Sequence, residues 1–282
     1  MSLCDAANAG ILQEMSNTVA NSFCRYCLSG IIYDLIHQCF PSANIPSNFS
    51  LCLSRDTTSF TYNTPLGNFL PLSSLQEICL FCQQHYNLFH IEATLSNDRW
   101  LKFTLHPPVI SQWLNTLTSL SAITDYYTPA AIAKATVSRQ KQLRFIHYYT
   151  HARCCSILRD AHLQQIIALD NLDFRLNQWQ LLNPSFIDYT CLDLSNSHEA
   201  SLVRQIVIIC EMIYRQKNFS LAAVDNLGKA ILDVECHGRI WGETLRKHKN
   251  LSLARLGLFV IGLKFYQFLV YHHYHTQLPS EI

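Results

Sequence analysis

The chain has 282 residues, 49% of them hydrophobic and 15% charged, which excludes a disordered chain and allows two modest domains with ample core. The formal net charge of +1 conceals an asymmetry. Residues 1–100 carry three Lys or Arg against seven Asp or Glu, and residues 101–282 carry eighteen against thirteen, so a polyanion would meet the second part.

The opening MSLCDAANAG has no basic n-region and no apolar h-region, so a signal peptide is not expected. Residues 11–40 read as helix, with Phe23, Cys27, Ile31, Leu35 and Cys39 at steps of four before Pro41 and Pro46. Residues 49–70 look extended, with FSLCLS and SFTY as short strands. A helix should start at Ser73 or Ser74, capped by Ser74 and Glu77. HIEATLSNDRWLKFTL alternates around Ser96-Asn97-Asp98 and reads as a β-hairpin. His106-Pro107-Pro108 marks the boundary. Residues 1–105 are expected to be an α+β domain and residues 106–282 a helical one, so the fold class is mainly α.

After the boundary, VISQWLNTLTSL is one helix and Asp125 to Pro129 a break. The next helix should run to about Leu169. Residues 170–198 look loop-rich, and three helices follow. The last, Leu251 to Tyr271, is apolar enough for a membrane span but carries Arg255 and Lys264 in its middle. A buried core helix is expected instead, with no membrane partner.

Chemistry-bearing patterns are few. Cys24/Cys27 and Cys79/Cys82 have Cys-x-x-Cys spacing but sit in apolar helical runs, as do Cys39, Cys154, Cys155 and Cys210. Core packing in a reducing, cytoplasmic setting is expected, with no metal. His272, His273 and His275 suggest an exposed tail or an RNA contact. There is no Gly-rich phosphate loop and no Gly-x-Ser-x-Gly elbow. Neither a cofactor nor catalysis is expected.

The distinctive stretch is RFIHYYTHARCCSILRD, residues 144–160. On a helix of about 100° per residue, Leu143, Ile146, Thr150, Cys154, Ile157 and Ala161 form one stripe, which should face a core. Arg144, Tyr148 and Arg159 share another strip, and Tyr149 and Arg153 are neighbours on the flank. Guanidinium binds phosphate or stacks on bases, and phenol offers a ring to an unstacked base. A second basic run holds Arg239, Arg246, Lys247, Lys249, Arg255 and Lys264, with Trp241, His248 and Tyr266 interleaved. Read alone, either run is also an ordinary solvated face.

Phe145, Tyr149, His151, Ala152, Arg153, Ser156 and Ile157 resemble, in order, the helix that opens the DALR-type anticodon-binding domain of arginyl-tRNA synthetases. Glu199, Ala200, Leu202, Val203 and Arg204 are similar to a later helix of that domain, and Ala254, Arg255, Leu256 and Leu258 to its last one. Cys236, Arg239 and Ile240 resemble the corner between them, and the PSEI ending resembles its close. Residues 91–117 resemble the end of the additional N-terminal domain of those enzymes. The match departs around Ser220 to Asp233 and at LKFYQFLVY, and no His-Ile-Gly-His or Lys-Met-Ser-Lys-Ser motif is present.

The resemblance implies a helical bundle of anticodon-binding type without the catalytic fold. The implied function is a non-catalytic tRNA-binding protein, an adaptor presenting tRNA to a modifying enzyme as its protein partner. The expected RNA-binding residues are Arg144, Tyr148, Tyr149, Arg153, Arg159, Arg246, Lys247, Lys249 and Arg255. Arg255, inside an apolar helix, could equally pair with Glu199 or Glu211. The alternative is a repurposed protein-interaction scaffold that no longer binds RNA.

Overall fold

The hairpin forms as its alternation dictates. In the computed structural model, which describes residues 26–39, 49–56, 59–96, 99–120, 143–195, 197–215 and 219–281, strands β3 (Ile91–Leu95) and β4 (Leu101–Leu105) pair antiparallel. Ile91, Ala93, Leu101, Phe103 and Leu105 face the core. The expected turn at Asn97 and Asp98 lies outside the described residues; beside it Arg99 takes a left-handed φ of 60°. Two earlier strands, β1 (Cys52–Leu53) and β2 (Phe60–Thr64), complete an antiparallel sheet of order β1-β2-β4-β3. Gly67 is required beside it: a Cβ there would lie 2.2 Å from the Arg99 carbonyl oxygen.

Helix α1 (Leu28–Cys39) covers the described part of the expected 11–40 helix; residues 1–25 are outside the description. Helix α2 (Leu72–Gln84) packs on β3 through Leu75, Ile78 and Cys82. It begins behind Pro71, without the expected Ser74 and Glu77 cap, because the proline already fixes the first turn. The helix gives way at His85 to a short α3 (Tyr86–Phe89), which ends on His90 with a left-handed φ of 50°.

Helix α4 (Pro107–Thr118) starts at the double proline, with His106 as its N-cap. It is tied to both sides of that boundary. Trp113 Nε1 donates to the Tyr26 carbonyl at 3.0 Å. Asn115 Nδ2 donates to the Ile187 carbonyl at 2.7 Å, and the Ile187 amide returns a bond to Asn115 Oδ1 at 2.8 Å. Buried side chains on the two sides form one continuous cluster.

The helical part comprises α5 (Phe145–Leu163), α6 (His198–Tyr214), α7 (Leu221–His237), α8 (Glu243–Lys247) and α9 (Lys249–Tyr274). The expected break at 125–129 is outside the described residues. Helix α5 stops at Leu163, not near Leu169, because Gln165 turns left-handed with φ 59°. The chain then enters a small strand pair, β5 (Ala168–Leu169), where the helix is expected to end, and β6 (Leu181–Asn183), inside the stretch read as loop.

Every residue of α9 from Leu256 to Val270 is buried. It packs against α4, α5, α6, α7 and α8, so it is the core helix of the bundle. Its length and hydropathy would also suit a membrane span, but 89% of the qualifying stretch is covered by the protein. Gly257 admits the ring of Tyr189, whose hydroxyl would lie 2.2 Å from a Cβ there. The His-rich end is no exposed tail: the helix runs through Tyr274, and His272 is buried. The protein is thus mostly helical, with a small antiparallel sheet toward its N-terminus.

Candidate nucleic-acid interface

Helix α5 turns a wider face inward than its apolar stripe predicts. Thr150, Cys154, Ile157 and Ala161 are buried as expected, but Ile146 is 43% exposed and Leu143 half-buried. The buried face instead takes in His147, His151, Cys155 and Leu158. Two imidazoles can be buried because each finds a polar partner on α9.

His151 shows how. Gln267 Nε2 lies 2.9 Å from His151 Nε2 and donates to it. The ring proton is therefore on Nδ1, which donates to the Pro279 carbonyl at 2.8 Å. Gln267 Oε1 accepts from Trp179 Nε1 at 3.1 Å, and its amide also donates to the Phe174 carbonyl. Burial lowers the His151 pKa, against a smaller rise from the Pro279 carbonyl. The histidine of the His-Ala-Arg string thus holds the C-terminal segment against the bundle.

The basic side chains of α5 mostly have acidic partners. Arg144, at the N-cap, pairs with Asp225 on α7. Arg153 donates from Nε and Nη2 to Glu235 Oε1, at 2.9 and 2.7 Å. The hydrogen bond to Glu235 raises the Arg153 pKa. Arg159 lies 3.5 Å from Glu281, with its guanidinium 5.6 Å from the centre of the Phe174 ring. Tyr148 is half-buried. Tyr149 is 37% exposed and stacks on Phe145, which is 72% exposed, with centroids 6.3 Å apart.

The second basic group sits elsewhere. Tyr266 faces the α5 N-terminus, and Lys249 begins the same helix seventeen residues earlier, about 25 Å away at 1.5 Å per residue. Arg246 and Lys249 are exposed. Lys247 pairs with Glu243 at 2.6 Å. Arg255 donates to Glu199 at 2.8 and 2.7 Å and to the Arg239 carbonyl. Of the two carboxylates considered for Arg255, Glu199 is the partner. Glu211 faces the sheet side and accepts from the Ser29 amide, Ser29 Oγ and Tyr62 Oη at 3.1, 2.7 and 2.8 Å. Lys264 is buried and donates to the Thr118 and Leu120 carbonyls at 3.0 and 2.7 Å.

A groove of about 300 Å³ runs between α5 and α7, with Arg144, Ile146 and His147 on one wall, Asp225 and Lys229 on the other and Tyr266 beneath. Asp225, Lys229 and Glu235 carry no sequence signal that would assign them to this face. The bonds of Asp225 and Glu235 to α5 span 81 and 82 residues of chain. Phe145 is not among the expected RNA-binding residues, although its step of four to Tyr149 and on to Arg153 carries that signal.

No family model, no curated protein and no solved structure matches this chain. A functional reading therefore rests on the geometry. Among the described residues no group of three or more His, Cys, Asp or Glu could hold a metal ion; Cys24 lies outside them.

Proposed function

We propose that the chain is a non-catalytic tRNA-binding protein of anticodon-binding type, acting as an adaptor that presents tRNA to a modifying enzyme. The observation that carries this reading is the exposed strip Phe145–Tyr149–Arg153. Two stacked rings stand on the surface at helical spacing, with Arg144 at one end and Arg153 at the other. Exposed aromatics between guanidiniums suit unstacked bases and the phosphates beside them. Sequencing RNA that co-purifies with the protein tests the reading. Enrichment of tRNA is the expected result; no tRNA above background overturns it.

One observation favours the second reading, a protein-interaction scaffold. Asp225, Glu235, Glu281, Glu243 and Glu199 each answer one of the basic side chains in question. A surface that neutralises its own cations attracts a polyanion weakly. The readings separate by salt: tRNA affinity should fall steeply between low and moderate salt, whereas an apolar protein interface should hold.

A further inference from the structure

The α5–α7 groove contains a buried polar atom that no described residue satisfies. His147 is 2% exposed. Its Nδ1 lies 2.9 Å from Tyr266 Oη, and its Nε2 has no hydrogen-bond partner. The nearest acidic atom, Asp225 Oδ1, is 3.7 Å away, beyond hydrogen-bond reach. That oxygen already takes Arg144, while the Asp225 side chain is 43% exposed at the groove. A buried ring nitrogen left unpaired costs free energy, so a ligand that reaches it is rewarded.

The rest of the groove restricts what that ligand is. Gly228 lies against the Tyr266 ring, where even a Cβ would come within 3.1 Å of Cε2. A glycine over a ring, with Ile146, Val224 and Leu232 around them, makes flat apolar walls. The volume of about 300 Å³ is at the low end of ordinary ligand pockets, roughly 300–1,000 Å³. Arg144 and Lys229 are exposed and line its rim, where a phosphate attached to a buried ring would lie. The exposed Phe145–Tyr149 pair is on the same helix, one residue beyond Arg144.

We propose that the groove receives a single unstacked nucleobase bearing an exocyclic amino group, with Asp225 accepting from that amino group and His147 Nε2 meeting a second atom on the base edge. This rests on the RNA-binding reading and names the part of the RNA that the face selects. An ionised carboxylate only accepts hydrogen bonds. Cytosine, adenine and guanine each offer it an amino donor; uracil sets a carbonyl oxygen where cytosine has the amino group, and that oxygen repels the carboxylate, leaving N3–H as the only donor on that edge. Lys229 supplies a cation for the adjoining phosphate. The face then does more than bind RNA: it discriminates at one position.

CMP and UMP isolate the selection, since they share sugar and phosphate and differ only at C4, amino against oxo, and at N3, acceptor against donor. Each is titrated into the full-length protein and followed by NMR of the His147 ring, with tRNA binding measured on the same preparation. CMP should bind at least about fivefold more tightly than UMP, in line with about 1–3 kcal/mol for a good base-edge contact. Asp225→Asn offers an amide of the same shape and should abolish or reverse that ratio. It also frees Arg144, which acts equally on both nucleotides, so the ratio is the readout. Lys229→Ala should weaken CMP but leave cytidine unchanged. Equal affinity for CMP and UMP, or a ratio unaffected by Asp225→Asn, overturns the groove assignment. If tRNA still binds, the RNA reading survives that result. Selective CMP binding without tRNA binding keeps the groove and overturns the RNA reading.

Discussion

Arg153 gives two of its guanidinium hydrogens to one oxygen of Glu235, at 2.9 and 2.7 Å. Glu235 is the less exposed partner, at 18% against 43% for Arg153. The arginine is therefore positioned by α7 and neutralised by it. Glu235→Gln should free the guanidinium for phosphate. Under the RNA reading, tRNA affinity at low salt rises several-fold, and the salt slope steepens by about one. Filter binding over a salt series reads both. An unchanged slope would remove Arg153 from the interface.

Lys264 gives a pH signature of opposite origin. Burial pushes its pKa down to about 8, only partly offset by Asp170. The unfolded chain then holds more protons than the folded one between about pH 8 and the ordinary lysine value of 10.5. Stability from this group must rise across that window as pH increases, by about 3 kcal/mol in full. Buried thiols such as Cys155, raised from 9.0 to about 12, pull stability the other way in the same window, so the comparison is with Lys264→Met. Urea unfolding between pH 7.5 and 10 should show a steeper rise in the parent protein than in the variant.

Buried histidines act in acid. His147, His151 and His272 all have lowered pKa values, each mainly through burial, and His272 falls to about 4. Each folded pKa lies below the unfolded value of about 6.5, so the unfolded state takes up protons first. Stability should decline as pH falls below 6.5, continuing to about 4 for His272. His272→Phe should flatten the lower part of that decline. An identical pH profile in the variant would contradict the assignment.

Glu211 is the hub between the sheet side and the bundle. Replacing it with Leu strands the Ser29 amide, the Ser29 hydroxyl and the Tyr62 hydroxyl together. The loss should be about 3 kcal/mol or more, whereas Tyr62→Phe, which removes one donor, should cost about 1 kcal/mol. Denaturant midpoints measure both. Equal effects would mean that Ser29 contributes nothing.

The parts of the fold written in local periodicity could be read. The hairpin declares itself through alternation from Ile91 to Leu105, α4 through its double proline, and α9 through its apolar run. The parts that depend on a distant partner could not. Ile146 belongs to the apolar stripe by angle but faces the α5–α7 groove, and two histidines take the buried side because Gln267 and Tyr266 are there to meet them. The end of α5 depends on one left-handed residue, Gln165, which carries no glycine or asparagine signal. In the candidate site, the arginines and tyrosines of α5 were legible. The carboxylates opposite them were not, since Asp225 and Glu235 look like the outer face of an ordinary helix until α7 is laid beside α5.

The clasp between Asn115 and Ile187 joins residues 72 positions apart. Closing a loop of that length costs about 4 kcal/mol of chain entropy before any contact repays it. Ser111 and Thr118, on the same helix, also wait for Tyr189, through bonds of 3.1 and 2.6 Å. During synthesis the first hundred or so residues therefore leave the ribosome with one face of α4 still wet. That face begins to close when the chain near residue 190 arrives, and α9 completes it. A nascent chain halted at residue 180 should remain sensitive to protease around Trp113, and one with α9 clear of the ribosome, which also packs on α4, should not. The order of emergence makes the sheet end depend on the bundle for its completion.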